Sequence, residues 1–236
     1  MGNTAIVLAG GSGSRMKSTV KKQYLLIAGM PVLGYSLAVF QKSSHINDII
    51  LVCGKGEEDQ CRTEIVEKYG FSKVKKIVEG GKERYHSVYE GLKAAENCDY
   101  VLIHDGARPF IDEAMIGRIM EELPQSRACV VAVPVKDTIK LSSSDGYVAR
   151  TLPREQLWSV QTPQAFDYNL IRRAYDQLAD CEPEDIRITD DAMVAEHFAG
   201  VPVKLIEGSY DNIKITTPED LLLADMIQKK HSVDRN

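Results

Sequence analysis

Thr4-Ala5-Ile6-Val7-Leu8-Ala9-Gly10-Gly11-Ser12-Gly13-Ser14-Arg15-Met16 is the stretch on which the fold turns. A short apolar run passes directly into a loop of small residues, the pattern of a buried strand that ends in a ligand-binding turn. Further apolar runs follow at residues 49–53, 74–78, 100–104 and 129–133, several of them rich in Val and Ile. Continuous runs of this length suit strands covered on both faces. Helical spacing fills the gaps between them. Pro31 opens one helix, with Leu33, Ser36, Leu37 and Phe40 on its buried stripe, and Tyr85, Val88, Leu92 and Ala95 form the stripe of another. The alternation predicts an α/β fold: a Rossmann-like, doubly wound, mostly parallel sheet with helices on both faces.

The rhythm breaks after Pro134. Residues 136–141 and 147–152 read as two extended segments around a serine-rich tip ending in Asp145-Gly146, which predicts a protruding β-hairpin arm over residues 135–153. Such an arm either packs on a partner subunit or stands in solvent. The remainder returns to the core, with helices near 168–178 and 190–198, strands near 203–206 and 213–215, and a last helix opened by Thr217-Pro218-Glu219-Asp220. Residues 229–236 read as a frayed end. The whole chain, 1–236, reads as one domain carrying the arm.

Composition excludes several classes. The 236 residues carry 29 basic and 34 acidic side chains, a net charge of −5, which argues against nucleic acid as a partner. A small phosphorylated molecule needs only a few cations in one cleft, so anionic substrates remain open. With 44% hydrophobic and 27% charged residues the chain is globular rather than disordered. The first apolar run is too short for a signal-peptide core, and no run approaches the roughly 18 residues of a membrane span. The five cysteines (Cys53, Cys61, Cys98, Cys129 and Cys181) form no C-x-x-C pair, and Cys53, Cys98 and Cys129 read as buried hydrophobes. A cytoplasmic protein without membrane attachment is expected.

The loop at residues 8–16 tests against two familiar phosphate-binding patterns and fails both. A dinucleotide fingerprint read from Gly11 needs glycine where Met16 stands, and a Walker A loop needs Gly-Lys-Ser/Thr where Ser14-Arg15 stands. What the loop does supply is backbone amides at Leu8, Ala9, Gly10, Gly11 and Gly13, flanked by Arg15, Lys21 and Lys22. Small residues with cations beside them suit a triphosphate. Asp105 stands at the exit of the 100–104 run, a common place for a Mg²⁺ ligand; the alternative is a loop acid. The double glycine Gly80-Gly81 precedes a helix whose first turn holds Arg84 and Ser87, and its backbone can face a planar base. Arg84 is read either as a ligand group or as a structural clamp. His104 lacks a nucleophile or a second ligand at useful spacing and reads as a structural histidine. Trp158 reads as a packing residue.

The run L-A-G-G-x-G-x-R-M with a downstream Lys22-Gln23 resembles the nucleotidyltransferases that activate sugar phosphates. Five further segments narrow the resemblance: Gly80-Gly81-Lys82-Glu83-Arg84-Tyr85-His86-Ser87-Val88, His104-Asp105-Gly106-Ala107-Arg108-Pro109, Gln161-Thr162-Pro163-Gln164-Ala165-Phe166, Thr189-Asp190-Asp191-Ala192 and Asp211-Asn212-Ile213-Lys214-Ile215-Thr216. Their order and spacing are similar to the 2-C-methyl-D-erythritol 4-phosphate cytidylyltransferase family, over about residues 4–228. The resemblance implies CTP and a polyol phosphate as small-molecule substrates, Mg²⁺, and a homodimer formed through the β-arm. It implies Arg15 and Lys22 at the reacting phosphorus and Arg154 and Lys214 on the acceptor phosphate, assisted by Thr138, Arg108, Gly106, Thr162 and Thr189. Gly81, Lys82, Ser87 and Ala107 would face the nucleotide, and Asp105 and Asp211 would hold the metal. Asp211 reads equally well as a turn residue.

Three departures stand out. Gly10-Gly11 is a doublet also common in the ribitol-5-phosphate cytidylyltransferases, the near relatives and the alternative activity. Lys21 stands where a proline usually precedes the Lys-Gln pair, which would make that loop more mobile when empty and leaves open a partial substitution of Lys21 for Lys22. Gly106 replaces a usual alanine after Asp105 and is expected to loosen the acceptor pocket only slightly. A reading from another class, a nucleotide-binding regulatory module without turnover, predicts loss of the cations at 15, 22 and 214, and all three are present.

Overall fold

The computed structural model describes residues 2–11, 21–96, 98–181 and 187–233. Seven strands form the central sheet: β1 (Gly2–Leu8), β4 (Asp48–Cys53), β5 (Val74–Glu79), β6 (Cys98–Asp105), β7 (Ala128–Pro134), β10 (Trp158–Asp167) and β11 (Lys204–Glu207). Their spatial order is β11-β7-β10-β6-β1-β4-β5. β1 pairs in parallel with β4 and β6, β4 with β5, and β7 with β11, while β10 runs antiparallel between β6 and β7. The five apolar runs of the sequence are all strands of this sheet.

Alternation along each strand divides the core. Ala5, Val7, Leu51 and Leu102 face one side, covered by α1 (Val32–Lys42) and α4 (Glu113–Ser126). A short helical turn, α2 (Glu58–Gln60), runs on as a wider turn through Cys61–Glu67 and adds Cys61 and Ile65 to that side. Ile6, Ile50, Val52, Val101 and Ile103 face the other side, under α3 (Arg84–Ala94), α5 (Tyr168–Cys181) and α6 (Asp191–Val194). Burying a Leu, Ile, Val or Phe side chain contributes about 1.5–3 kcal/mol, so both layers are held by the same apolar term. Cys53, Cys98 and Cys129 are buried as expected; so is Cys61, whereas Cys181 is exposed. Between β1 and β4, a small hairpin of β2 (Leu26–Ile27) and β3 (Met30–Pro31) packs Ile27 with Ile215 and with Ala224 and Ile227 of α7 (Pro218–Val233).

Strands β8 (Lys140–Ser142) and β9 (Val148–Thr151) pair only with each other, as the arm. Gly146 adopts φ +87° and donates its amide to the Ser143 carbonyl, which is why the tip carries Asp-Gly. Every residue of both arm strands is exposed.

Three expectations need correction, and one strand escaped the sequence pattern. Residues 213–215 form no strand; Ile215 makes a single backbone bond, to the Ala107 carbonyl at 2.8 Å. The longest strand, β10, carries no periodic signal because Gln161, Thr162, Pro163 and Gln164 interrupt its apolar pattern. Its pairing with β7 shifts register between Val160 and Gln164, and Pro163, which has no N–H to donate, sits in that shift. The C-terminal segment is helical through Val233 rather than frayed at 229, and Lys230 and His231 both bond Asp211. Trp158, expected to pack, is about one-third exposed at the start of β10.

Candidate active site

The carboxyl ends of β1, β5 and β6 open onto a cavity of about 350 Å³ lined by Leu8, Ala9, Gly10, Gly11, Lys22, Gly81, Lys82, Ser87, Asp105, Ala107 and Lys214, with Gln23, Glu83 and Arg84. Parallel strands deliver these residues to one edge because each strand stops at the same level of the sheet. Backbone proximity shapes the walls. A Cβ on Gly10 would lie 3.1 Å from the Cys53 carbonyl oxygen, and one on Gly80 would lie 2.7 Å from Ser87 Oγ. The Gly80 amide bonds the Cys53 carbonyl at 2.8 Å, and the Gly81 amide donates to Ser87 Oγ at 3.1 Å. The glycine loop is thereby tied at one end to β4 and at the other to the first turn of α3.

A second cavity of about 370 Å³ adjoins the first and shares Arg84, Asp105 and Lys214 with it. Arg108, Thr162 and Thr189 line this one, with Gln161, Gln164 and Asp190. Two subsites therefore meet at one carboxylate and two cations. Lys214 Nζ donates to Asp105 Oδ2 at 2.6 Å, and Lys22 Nζ donates to the Ile215 carbonyl at 3.1 Å, so Lys22 bonds the backbone of the segment from which Lys214 reaches Asp105. Burial works to raise the Asp105 pKa, but Arg84 and Lys214 outweigh it and hold the carboxyl well below the usual carboxylate range. Asp105 is ionised at neutral pH.

Behind the cleft, a chain of hydrogen bonds orients the strand end. The Asp105 amide donates to Thr162 Oγ1 at 3.1 Å, and that oxygen lies 3.1 Å from His104 Nδ1. His104 Nε2 lies 3.1 Å from the Arg108 carbonyl. The pattern assigns the neutral tautomer with its proton on Nε2. Burial pushes the imidazole down to about 4, so His104 is the structural histidine its surroundings in the sequence suggest.

Not every residue named from the sequence converges. Gly13 and Arg15 lie outside the described residues. Asp211 lines neither cavity, and its carboxylate is taken by Lys230 Nζ and His231 Nε2, each at 3.0 Å. Thr138 and Arg154 are exposed and line neither cavity, and Arg154 Nη1 donates to the Lys136 carbonyl at 2.8 Å. Lys21 is paired with Glu57 and lines neither cavity, so it stands apart from Lys22. Gly106 does not loosen a pocket. It lies in neither lining, and a Cβ there would meet Leu33 Cδ1 at 2.7 Å and the Leu8 carbonyl at 3.0 Å.

The sequence reading missed a buried partner. Arg84 forks onto Asp191, with Nη1–Oδ1 at 2.9 Å and Nη2–Oδ2 at 2.8 Å, and its Nε reaches Asp105 Oδ1 at 3.0 Å. Arg84 thus makes the contacts of a clamp, and it also lines both cavities. No local signal could pair residues 107 positions apart.

Comparison with known proteins shows the family. The sequence model of the family described as IspD, 2-C-methyl-D-erythritol 4-phosphate cytidylyltransferase, matches residues 3–230. The chain belongs to that family. The cytidylyltransferases of Clostridium kluyveri and Lachnoclostridium phytofermentans are each 50% identical to it, over 97% of this chain and 97% of theirs. A crystal structure of 4-diphosphocytidyl-2C-methyl-D-erythritol synthase from Anaerococcus prevotii superposes with a TM-score of 0.84 at 36% identity, covering 97% of this chain and 96% of that one. The enzyme from Thermus thermophilus superposes with a TM-score of 0.76 at 30% identity, covering 95% and 98%.

For a cytidylyltransferase of this family, the donor set bears on the metal. Among the described residues no group of three or more His, Cys, Asp or Glu side chains converges as a metal cage. Mg²⁺ on a triphosphate does not need one, since one or two carboxylates with phosphate oxygens and water suffice. Asp105, ionised at the cavity wall, fits as a single protein ligand. Asp211 lines neither cavity, which leaves Asp105, of the two, as the carboxylate at the wall. No helix among the described residues is long and apolar enough to cross a membrane.

Proposed function

We propose that this chain joins CTP to 2-C-methyl-D-erythritol 4-phosphate, giving 4-diphosphocytidyl-2-C-methyl-D-erythritol and pyrophosphate. One observation carries the reading: Lys22 and Lys214, from opposite ends of the chain, line one cavity with Asp105 and the two glycine loops. An oxygen of the acceptor phosphate attacks the α-phosphorus in line, and a new P–O bond forms. The bond from that phosphorus to the bridging oxygen breaks, and its electrons leave on pyrophosphate. Both reactants are anions, so catalysis consists of alignment and charge stabilisation. The acceptor phosphate is already largely ionised near neutral pH and needs no general base.

The glycine loops take the nucleotide, with Gly81, Lys82, Ser87 and Ala107 against its nucleoside part. Lys22, with Arg15 seven positions earlier in the sequence, stabilises the phosphorus and the leaving group. Lys214, Arg108 and Thr189 hold the acceptor phosphate in the second cavity, and Thr162, its hydroxyl committed to Asp105 and His104, forms part of the wall. Mg²⁺ bound by Asp105 would neutralise triphosphate charge. Thr138 and Arg154 lie outside both cavities, on and beside an arm whose Leu141, Tyr147 and Val148 are exposed. Their position supports a homodimer in which each arm completes its partner's acceptor subsite; a fully active monomer in light scattering at assay concentration would remove it.

Pyrophosphate release tests the activity. With CTP and Mg²⁺, turnover is expected with the methylerythritol phosphate and should stop on chelation. Faster turnover with ribitol 5-phosphate would overturn the substrate assignment, and chelation without effect would overturn the metal.

A further inference from the structure

Asp105 has two cationic partners, and they are held in very different ways. Lys214 reaches Oδ2 with one bond at 2.6 Å from a side chain about one-third exposed. Arg84 reaches Oδ1 through Nε at 3.0 Å, while the other edge of its guanidinium forks onto Asp191. Asp191 is fully buried, and Tyr175 donates its hydroxyl to Asp191 Oδ1 at 2.6 Å. The amides of Asp191 and Ala192 both donate to Gln164 Oε1 at 2.9 Å, and Gln164 Nε2 donates to Asp190 Oδ2 at 3.0 Å. A planar fork bound on two edges has no freedom to turn, whereas an ammonium on a flexible stem has.

We propose that Arg84, locked by the buried Asp191–Tyr175 pair, is a positioning residue that holds Asp105 in one orientation while Lys214 exchanges between Asp105 and substrate phosphate. The inference rests on the role given to Asp105 above. Its physical basis is the asymmetry of the two partners. An incoming phosphate competes readily for an ammonium held to Asp105 by one bond. It does not compete for a guanidinium whose departure would strand a buried carboxylate. Arg84 also borders both cavities, and its anchor lies on α6, immediately after Asp190 of the acceptor side. The orientation of Asp105 is thereby set jointly by the nucleotide loop, through the start of α3, and by the acceptor wall, through β10 and α6.

A double-mutant cycle separates positioning from mere support of the fold. Arg84→Lys keeps the charge and loses the fork. Its kcat should fall by up to roughly 100-fold, with both KM values changed far less. In an Asp105→Asn background the same change should cost less than about twofold, because the group it positions has been neutralised. Tyr175→Phe removes one hydrogen bond from Asp191 and keeps the ring. It should give a smaller kcat loss with the same non-additivity, and it carries the test should Arg84→Lys fail to fold. Equal losses in both backgrounds, with Asp105→Asn itself impaired, would overturn the positioning role and leave the proposed activity standing. An Asp105→Asn enzyme as fast as the parent would overturn the role of Asp105 itself, and the inference with it.

Discussion

Gly81→Ala adds one methyl group to the wall of the nucleotide cavity, and the structure sets its consequence. The new Cβ would fall inside contact distance of His86 Cβ and lie 3.2 Å from the His86 carbonyl carbon. Neither is the tip of a flexible chain: His86 sits in the first turn of α3, and its Nδ1 accepts the Glu83 amide at 3.2 Å. The loop must therefore move off the helix, and the Gly81 amide loses Ser87 Oγ. Overpacking of this kind costs about 1–3 kcal/mol. For a chain of this size that lowers Tm by about 2–4 °C per kcal/mol. The functional effect should exceed the stability effect, because a shift of about 1 Å in a positioning loop can cost roughly 100-fold in rate. The loss should appear in kcat/KM for CTP and spare KM for the polyol phosphate. Gly117→Ala is the control. Nothing lies within 4 Å of its Cβ on α4, so the same chemical change should stabilise by about 0.5–1 kcal/mol. Steady-state kinetics and thermal melts of the two variants make the comparison. A Gly81→Ala enzyme with parental kcat/KM for CTP and parental Tm would refute both the packing argument and the place of the nucleotide.

Lys22→Ala should reduce kcat by roughly 100- to 1000-fold, the usual cost of removing one preorganised donor to transition-state charge; near-parental turnover would remove Lys22 from the reaction. Arg154→Ala should raise KM for the polyol phosphate and leave that for CTP alone; the reverse pattern would exchange the two subsites. Asp220→Ala should cost about 1–2 kcal/mol at neutral pH, because Asp220 Oδ2 accepts the Thr216 and Thr217 amides at 2.7 and 2.8 Å at the start of α7. Burial works to raise the Asp220 pKa, but the Thr216 hydroxyl, which donates to the same oxygen at 2.8 Å, and the two amides outweigh it and hold it below the usual value. Its stabilisation is therefore present above the unfolded carboxylate pKa and lost as pH falls through the folded one. Denaturant titrations at pH 7 and near pH 3 should show the gap between parent and variant closing at acid pH, and a constant gap would count against the cap.

The sheet was legible because its information is local. A strand covered on both faces must be apolar at every position, and an amphipathic helix must repeat near 3.6 residues, so runs such as 49–53 and the stripe of α3 declare themselves. The hairpin tip did the same through Gly146, whose positive φ a glycine meets without strain. β10 did not, because its buried polar residues serve the site: Thr162 bonds the Asp105 amide and Gln164 carries the start of α6. Its hydrogen bonds compensate for a composition that reads as loop.

Most of the cleft was likewise named by motif, since Lys22, Gly81, Asp105 and Lys214 belong to segments whose residue types suit a triphosphate and a phosphate. What those segments could not contain is the identity of each side chain's partner. Lys21 is as basic as Lys22, yet packing gives it to Glu57; Asp211 is as acidic as Asp105, yet α7 supplies it with Lys230 and His231. Gly106 offers no slack, because Leu33 and the Leu8 carbonyl already occupy the space beside it. Charge and residue type are properties of the chain, and the sequence alone determined them. Which charges neutralise one another, and which are left to face a substrate, depends on distances between residues far apart in the chain, and only the packed tertiary structure decides those.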